Sequence, residues 1–366
     1  KFGRNYTYHI FTPNSVSADL GLTTIDYSDA LDLFAHEGAV YIGDDYKIND
    51  KITFYGGLRA SIFNQVGPFT RYIKDEFSLV KVDSISYEKN ETVARYHSLE
   101  PRASMKFSLS PKSSIKASFM RNKQYIHLAA LSASTLPTDL WVPSTDVVKP
   151  QEGLQYALGY FRNFLNDHFE TSIEVYYKDM YNLIEYADGA LPGDDINDNS
   201  DNYFIFGDGN SYGVEFFIRK TTGNLTGWIG YTLSWANRQF DNLNFGEPFP
   251  YRYDRRHDIG IAITHQLNDN IDLGLVWVYG TGNAMSLPIE QYSATGLNQT
   301  EDYYYYFNNV EYYEGRNGFR APAYHRMDLG VNFYKKKKRG ERTLSINIYN
   351  VYNRKNPFMI YFSNEW

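Results

Sequence analysis

The chain has 366 residues, a net charge of −7 and no cysteine, which excludes disulfides, thiolate metal sites and cysteine nucleophiles together. With a pI near 5.7 and no basic stripe interleaved with aromatics, it does not read as a general nucleic-acid binder. Mean hydropathy is −0.50 and no run of about 18 apolar residues offers a transmembrane helix, yet Tyr 34 and Phe 24 supply rings suited to a boundary between apolar and aqueous phases.

The first alternating stretches fall at residues 5–12, 36–48 and 51–63. In the third, Ile52, Phe54, Leu58 and Ala60 take one parity, and Thr53, Tyr55, Arg59 and Ser61 take the other. Successive strand side chains point to opposite sides, so this spacing predicts a strand with one apolar and one polar face. Further strands are expected at 94–109, 114–126, 153–165 and 168–181, the last setting Phe169, Ile173, Val175 and Tyr177 against Glu170, Ser172, Glu174 and Lys178. After 211–220 comes the clearest case, 225–239, where Leu225, Ile229, Tyr231, Leu233 and Trp235 oppose Thr226, Gly230, Thr232, Ser234 and Arg238. Stretches at 256–267, 271–282, 322–334 and 342–362 bring the expected total to thirteen. In the final stretch Asn347 and Asn350 break the alternation, which reads as a bulge.

The connections fall into two populations. Asn49-Asp50, Ser110-Pro111-Lys112-Ser113, Asn166-Asp167, Thr222-Gly223-Asn224 and Asn268-Asp269-Asn270 are short and built from turn formers. Much longer stretches, 64–92, 127–150, 184–210, 240–255 and 283–321, lie between them in strict alternation. A soluble sandwich mixes loop lengths at both ends, whereas an outer-membrane barrel keeps short turns on one side and long loops on the other. The fold class expected is therefore all-β: an antiparallel transmembrane up-and-down barrel. Lys335 to Arg339, the one dense basic run, reads as a solvated turn between strands, with anionic lipid or a partner as the alternative. No linker or change of texture divides residues 1–366, which read as part of a single barrel domain. Lys1 stands where a Met would begin a chain and no secretion signal follows, so the sequence reads as a piece of something longer. An odd strand count agrees, because an open sheet edge cannot face lipid.

Several segments resemble the barrel of TonB-dependent outer-membrane receptors, in the form common among Bacteroidetes-type bacteria. They are Glu100-Pro101-Arg102-Ala103-Ser104, Ser211-Tyr212-Gly213-Val214-Glu215, Tyr253-Asp254-Arg255-Arg256-His257-Asp258, Ala323-Tyr324-His325-Arg326-Met327-Asp328-Leu329 and Ile348-Tyr349-Asn350-Val351-Tyr352-Asn353-Arg354-Lys355-Asn356-Pro357. Each motif is weak alone; five in order are a strong joint signal. The resemblance implies a barrel of about 22 strands, of which this chain would hold about strands 9 to 21, without the plug domain and the final strand. It further implies residence in the outer membrane of a Gram-negative bacterium, active import of a siderophore, glycan, peptide or similar nutrient, and no cofactor or enzymatic activity. Expected partners are outer-membrane lipid, the chain's own plug, TonB acting through the plug, and a surface lipoprotein. A passive porin-like barrel and a soluble β-rich binding module are the alternatives.

Candidate ligand-binding residues are the loop aromatics Tyr303, Tyr304, Tyr305, Tyr306, Phe307 and Trp141, since exposed rings form binding hot spots; packing of a large loop explains them equally well. Arg59, Arg102, Glu174, Arg256, Asp258, Arg326 and Asp328 are expected to face the lumen or plug. Asp254 to Asp258 gathers acid, base and cation within five residues but has no paired nucleophile, so it reads as an ion-pair cluster at a strand end rather than a catalytic site. The acidic loop 193–202 contains Asp194, Asp195, Asn197, Asp198 and Asp201, oxygen donors of the kind calcium takes. It lacks the glycine and distal Glu of an EF-hand and reads as a solvated loop.

Overall fold

A computed structural model describes residues 1–12, 17–19, 24–26, 32–75, 80–130, 139–188, 199–298, 304–358 and 360. Thirteen long strands among them build one sheet: β1 (Phe2–Phe11), β2 (Leu33–Lys47), β3 (Ile52–Val66), β4 (Thr92–Ser110), β5 (Ser113–Gln124), β6 (Gln151–Phe164), β7 (Phe169–Tyr186), β8 (Phe204–Lys220), β9 (Leu225–Gln239), β10 (His257–Asn268), β11 (Ile271–Gly280), β12 (Tyr324–Lys337) and β13 (Gly340–Ile348). Each pairs antiparallel with its neighbours in sequence, and a short Phe249–Pro250 segment adds to β9. The expected thirteen strands are thus present in their expected order, in an all-β up-and-down sheet whose outer strands are β1 and β13. They run from 9 to 19 residues, long enough for a tilted membrane crossing.

Cross-strand register keeps the two faces separate across the sheet. On one, Ile218, Ile229 and Ile261 lie side by side, flanked by Phe216, Tyr231 and Ile259. On the other, Glu174, Glu215, Thr232 and Asp258 form a continuous polar row. Apolar-face residues Phe54, Leu58 and Ile62 of β3 and Ile173, Val175 and Tyr177 of β7 are 37% to 48% exposed. Among the described residues, none covers this apolar face.

The buried hydrophobic clusters lie at the loop end, where connections fold over the sheet. One joins Ala129, Val142, Val148, Ile184, Tyr186 and Phe204; a second joins Leu183, Phe240, Leu243 and Phe249; a third joins Ala35, Phe63 and Tyr125. At the opposite end the chain reverses tightly, using three consecutive left-handed residues, Leu165, Asn166 and Asp167, between β6 and β7.

Four differences from the sequence reading have local causes. First, β7 continues past residue 181 to Tyr186, because Asn182 takes φ +56° and shifts the register between Met180 and Leu183. That slip sets Leu183 and Glu185 on the polar face and hides the continuation from a period-two reading. Second, the long connections carry hairpins of their own: Phe69–Lys74 with Lys81–Tyr87, Ile126–Ala129 with Leu140–Pro143, and Glu290–Asn298 with Tyr304–Tyr312. Third, β13 stops at Ile348 instead of running to 362 through a bulge. Asn350 adopts φ +53°, donates its backbone N–H to Asp328, and accepts the Arg354 N–H at 2.9 Å, closing a turn. Fourth, Lys335, Lys336 and Lys337 belong to β12, paired with Arg342, Glu341 and Gly340, which leaves only Lys338 and Arg339 to make the turn.

Candidate functional site

The loop end is held by three buried carboxylates, each gripped by arginine. The bulge in β7 delivers Glu185 to the polar face, where it is 4% exposed. Arg238 of β9 donates to its Oε1 at 2.7 Å, Arg252 to its Oε2, and Arg316 to the same Oε2 at 3.4 Å. Arg316 also reaches Asp188 at 2.8 Å. Three guanidiniums therefore converge on the Glu185 carboxylate. The Arg238 guanidinium lies 3.6 Å from the centre of the Tyr251 ring and that of Arg316 lies 5.6 Å from Phe249, placing cations over π faces. Arg238 Nε and Arg252 Nη1 have no hydrogen-bond partner among the described residues. A cavity of about 40 Å3 beside Tyr186, Arg238, Tyr251 and Arg252 has room for water but not for a nutrient.

The second carboxylate, Asp254, accepts from Arg320, from Arg256 at 3.5 Å and from the Ala236 backbone N–H at 2.7 Å. The third, Asp201, fastens three separate connections together. Arg71 donates to its Oδ1 at 2.6 Å and also pairs with Asp146, while Thr145 donates to its Oδ2 at 2.7 Å. Asn199 completes the clasp through the Tyr72 N–H at 2.7 Å and the Thr70 carbonyl at 2.9 Å. Such charge-assisted bonds are short and geometrically demanding, so they fix these three connections relative to one another.

Of the residues expected from sequence, Arg59 lies on the polar face between Glu100 at 2.6 Å and Glu37 at 3.4 Å, with Ser61 also bonded to Glu100. Arg102 shares that face and is exposed. Glu174 stands directly opposite Glu215, and both border a groove of about 560 Å3 with Phe161, Ser172, Phe217 and Thr232. Arg256 precedes β10 and lies 4.4 Å from the centre of the Trp235 ring, while Asp258 lies 3.8 Å from Arg255. Arg326 pairs with Asp328 at 3.0 Å and bonds Tyr349. Trp141 is 56% exposed on a loop-end hairpin. Tyr304 to Phe307 lie on the Tyr304–Tyr312 strand, but their side chains, like Tyr303, fall outside the described residues. Asp194, Asp195, Asn197 and Asp198 also fall outside them, and Asp201 spends both oxygens on Arg71 and Thr145. Sequence reasoning missed Glu185, Arg252, Arg316 and Arg71. Their partners lie 53 to 131 positions away, so no local pattern marks them.

Residues 1–351 match the family model described as "TonB dependent receptor-like, beta-barrel". Comparison with curated proteins finds no match. Among solved structures, the chain is similar to the ferric-catecholate import receptor Fiu from E. coli K12, at 14% identity and a TM-score of 0.59, over 98% of this chain and 48% of that one. It is similar also to the FrpB iron transporter from Neisseria meningitidis, at 13% identity and a TM-score of 0.56, over 96% and 48%. The copper transporter OprC matches at 10% identity and a TM-score of 0.57, over 97% and 50%. At these identities the likeness shows the fold, and the chain spans about half the length of each of these structures.

Proposed function

The chain belongs to the TonB-dependent receptor family, and on that premise we propose that it forms part of the barrel of a Gram-negative outer-membrane receptor importing a scarce nutrient. It is a transport protein and not an enzyme. The apolar face meets lipid, the polar face lines the lumen, and the arginine-clasped loops form the outer vestibule. Import draws on an energised TonB protein acting through a plug domain of the full-length receptor, and a surface lipoprotein is a further candidate partner. The order of the motifs from Glu100 to Pro357 supports the Bacteroidetes form of the family.

The observation that carries this reading is the family match over residues 1–351 on a sheet with one uncovered apolar face. Trp141 and the Tyr303 to Phe307 aromatics are the candidate solute contacts, on loops that the arginines around Glu185 hold in place. The opposed Glu174 and Glu215 offer a cationic plug residue a place to bind, since like charges directly across a sheet repel until neutralised.

The test is uptake by a Gram-negative host that lacks competing receptors and expresses the full-length protein, using labelled ferric siderophores, copper, glycans and peptides with and without TonB. Accumulation of one solute that disappears without TonB is expected. Accumulation that persists without TonB would identify a passive pore and overturn the proposal.

A further inference from the structure

The hairpin of β12 and β13 sorts its charges by face. Toward the polar side, Lys336 stands opposite Glu341, a complementary pair. Toward the apolar side, Phe333 pairs with Leu344, and the next position along places Lys335 directly opposite Arg342. Lys337 shares that face one step further on, and Lys338 and Arg339 form the turn. Like charges across an antiparallel pair are destabilising, yet the side chains of Lys335, Lys337 and Arg342 make no ion pair or hydrogen bond among the described residues, β13 being the outer strand of the sheet. Asp269 in the adjoining turn forms no ion pair with them.

Their position gives the reason. Ile348, Ile346 and Leu344 are 51% to 55% exposed on the same face of the same strand, so the cations begin where the aliphatic band ends. On the membrane reading proposed above, from which this inference starts, that level is the headgroup region of the leaflet at the short-turn end. Long basic side chains lay their stems along apolar surface and extend their charge toward headgroups.

We propose that Lys335, Arg342 and Lys337 form a binding site for the phosphodiester of an anionic glycerophospholipid in that leaflet. One phosphate between Lys335 and Arg342 turns a repulsive cross-strand pair into a bridged one. The acyl chains of the same lipid then cover Phe333, Leu344 and Ile346.

The test uses the full-length protein in phosphatidylcholine nanodiscs containing a minor fraction of phosphatidylglycerol, with retained phosphatidylglycerol measured by native mass spectrometry. The K335Q/R342Q variant should bind phosphatidylglycerol about thirtyfold more weakly, the effect of losing two cations at an anionic surface. Lys336→Gln, changing the inward lysine, and Lys335→Arg, keeping the charge, should bind like the original. Equal retention by K335Q/R342Q would overturn the site. Displacement of the lipid by millimolar inorganic phosphate would show a free-anion site and overturn the lipid assignment. Failure of the unmutated protein to enter phosphatidylcholine discs would instead refute the membrane reading.

Discussion

Ile229 and Thr232 lie three positions apart on β9, and their opposite faces make arginine substitution a sharp test of the barrel. Ile229 sits between Ile218 and Ile261 and is 43% exposed. Near the bilayer midplane, an arginine there has only lipid and aliphatic neighbours, at a cost of about 2 to 4 kcal/mol. Thr232 sits between Glu215 and Asp258. An arginine at that point gains two opposite charges as cross-strand neighbours, each contributing roughly 0.2 to 1 kcal/mol. The two variants should therefore differ by about 2 to 6 kcal/mol, with Thr232→Arg neutral or slightly stabilising. Urea midpoints of the full-length protein in phosphatidylcholine vesicles, with gel mobility reporting the folded fraction, would measure this. Equal destabilisation by both substitutions, or the reverse order, would refute the face assignment.

Glu185→Gln removes the anion from among Arg238, Arg252 and Arg316, and breaking a buried pair in this way costs about 3 to 5 kcal/mol. Hydrogen exchange should accelerate around residues 183–186 and 249–252, and unchanged protection would contradict the clasp. His127 is fully buried against Ser144, and burial pushes its imidazole down to about 4. Because that lies below the unfolded value of about 6.5, its contribution is complete above about pH 6.5 and is lost as pH falls toward 4. The loss, on the order of 3 kcal/mol, should be absent in His127→Phe melting curves, and identical pH profiles would show that His127 does not set the acid sensitivity. Gly227 holds φ +150°, and a Cβ there would lie 2.2 Å from the Ala262 carbonyl oxygen. Gly227→Ala should cost about 1 to 3 kcal/mol in strain alone, and a neutral urea midpoint would count against this backbone geometry.

Period-two patterning was legible wherever a strand has an uninterrupted two-faced environment. β9 and β11 run close to their expected limits because one side of each meets apolar surroundings and the other polar ones. Legibility failed where a single residue changed the phase. Asn182, with its left-handed backbone, shifts β7 by one position and conceals Glu185, around which the loop-end cluster forms. At the other extreme, Lys335 to Lys337 looked like a turn because charge masked the alternation, although their register with Gly340 to Arg342 is regular. The clasps themselves have no sequence signature, since Arg71 and Asp201 meet across 130 positions only after the sheet has brought their connections to one end.

If this sheet divides lipid from a hydrated lumen, spin labels placed singly at residues 225–239 of the full-length protein in vesicles will report the two environments in alternation. Oxygen accessibility should peak at Leu225, Ile229, Tyr231 and Leu233, and that of a water-soluble nickel chelate at Thr226, Thr232 and Ser234, with a period of two. Uniform chelate access along β9, or the two profiles exchanged, would contradict that division.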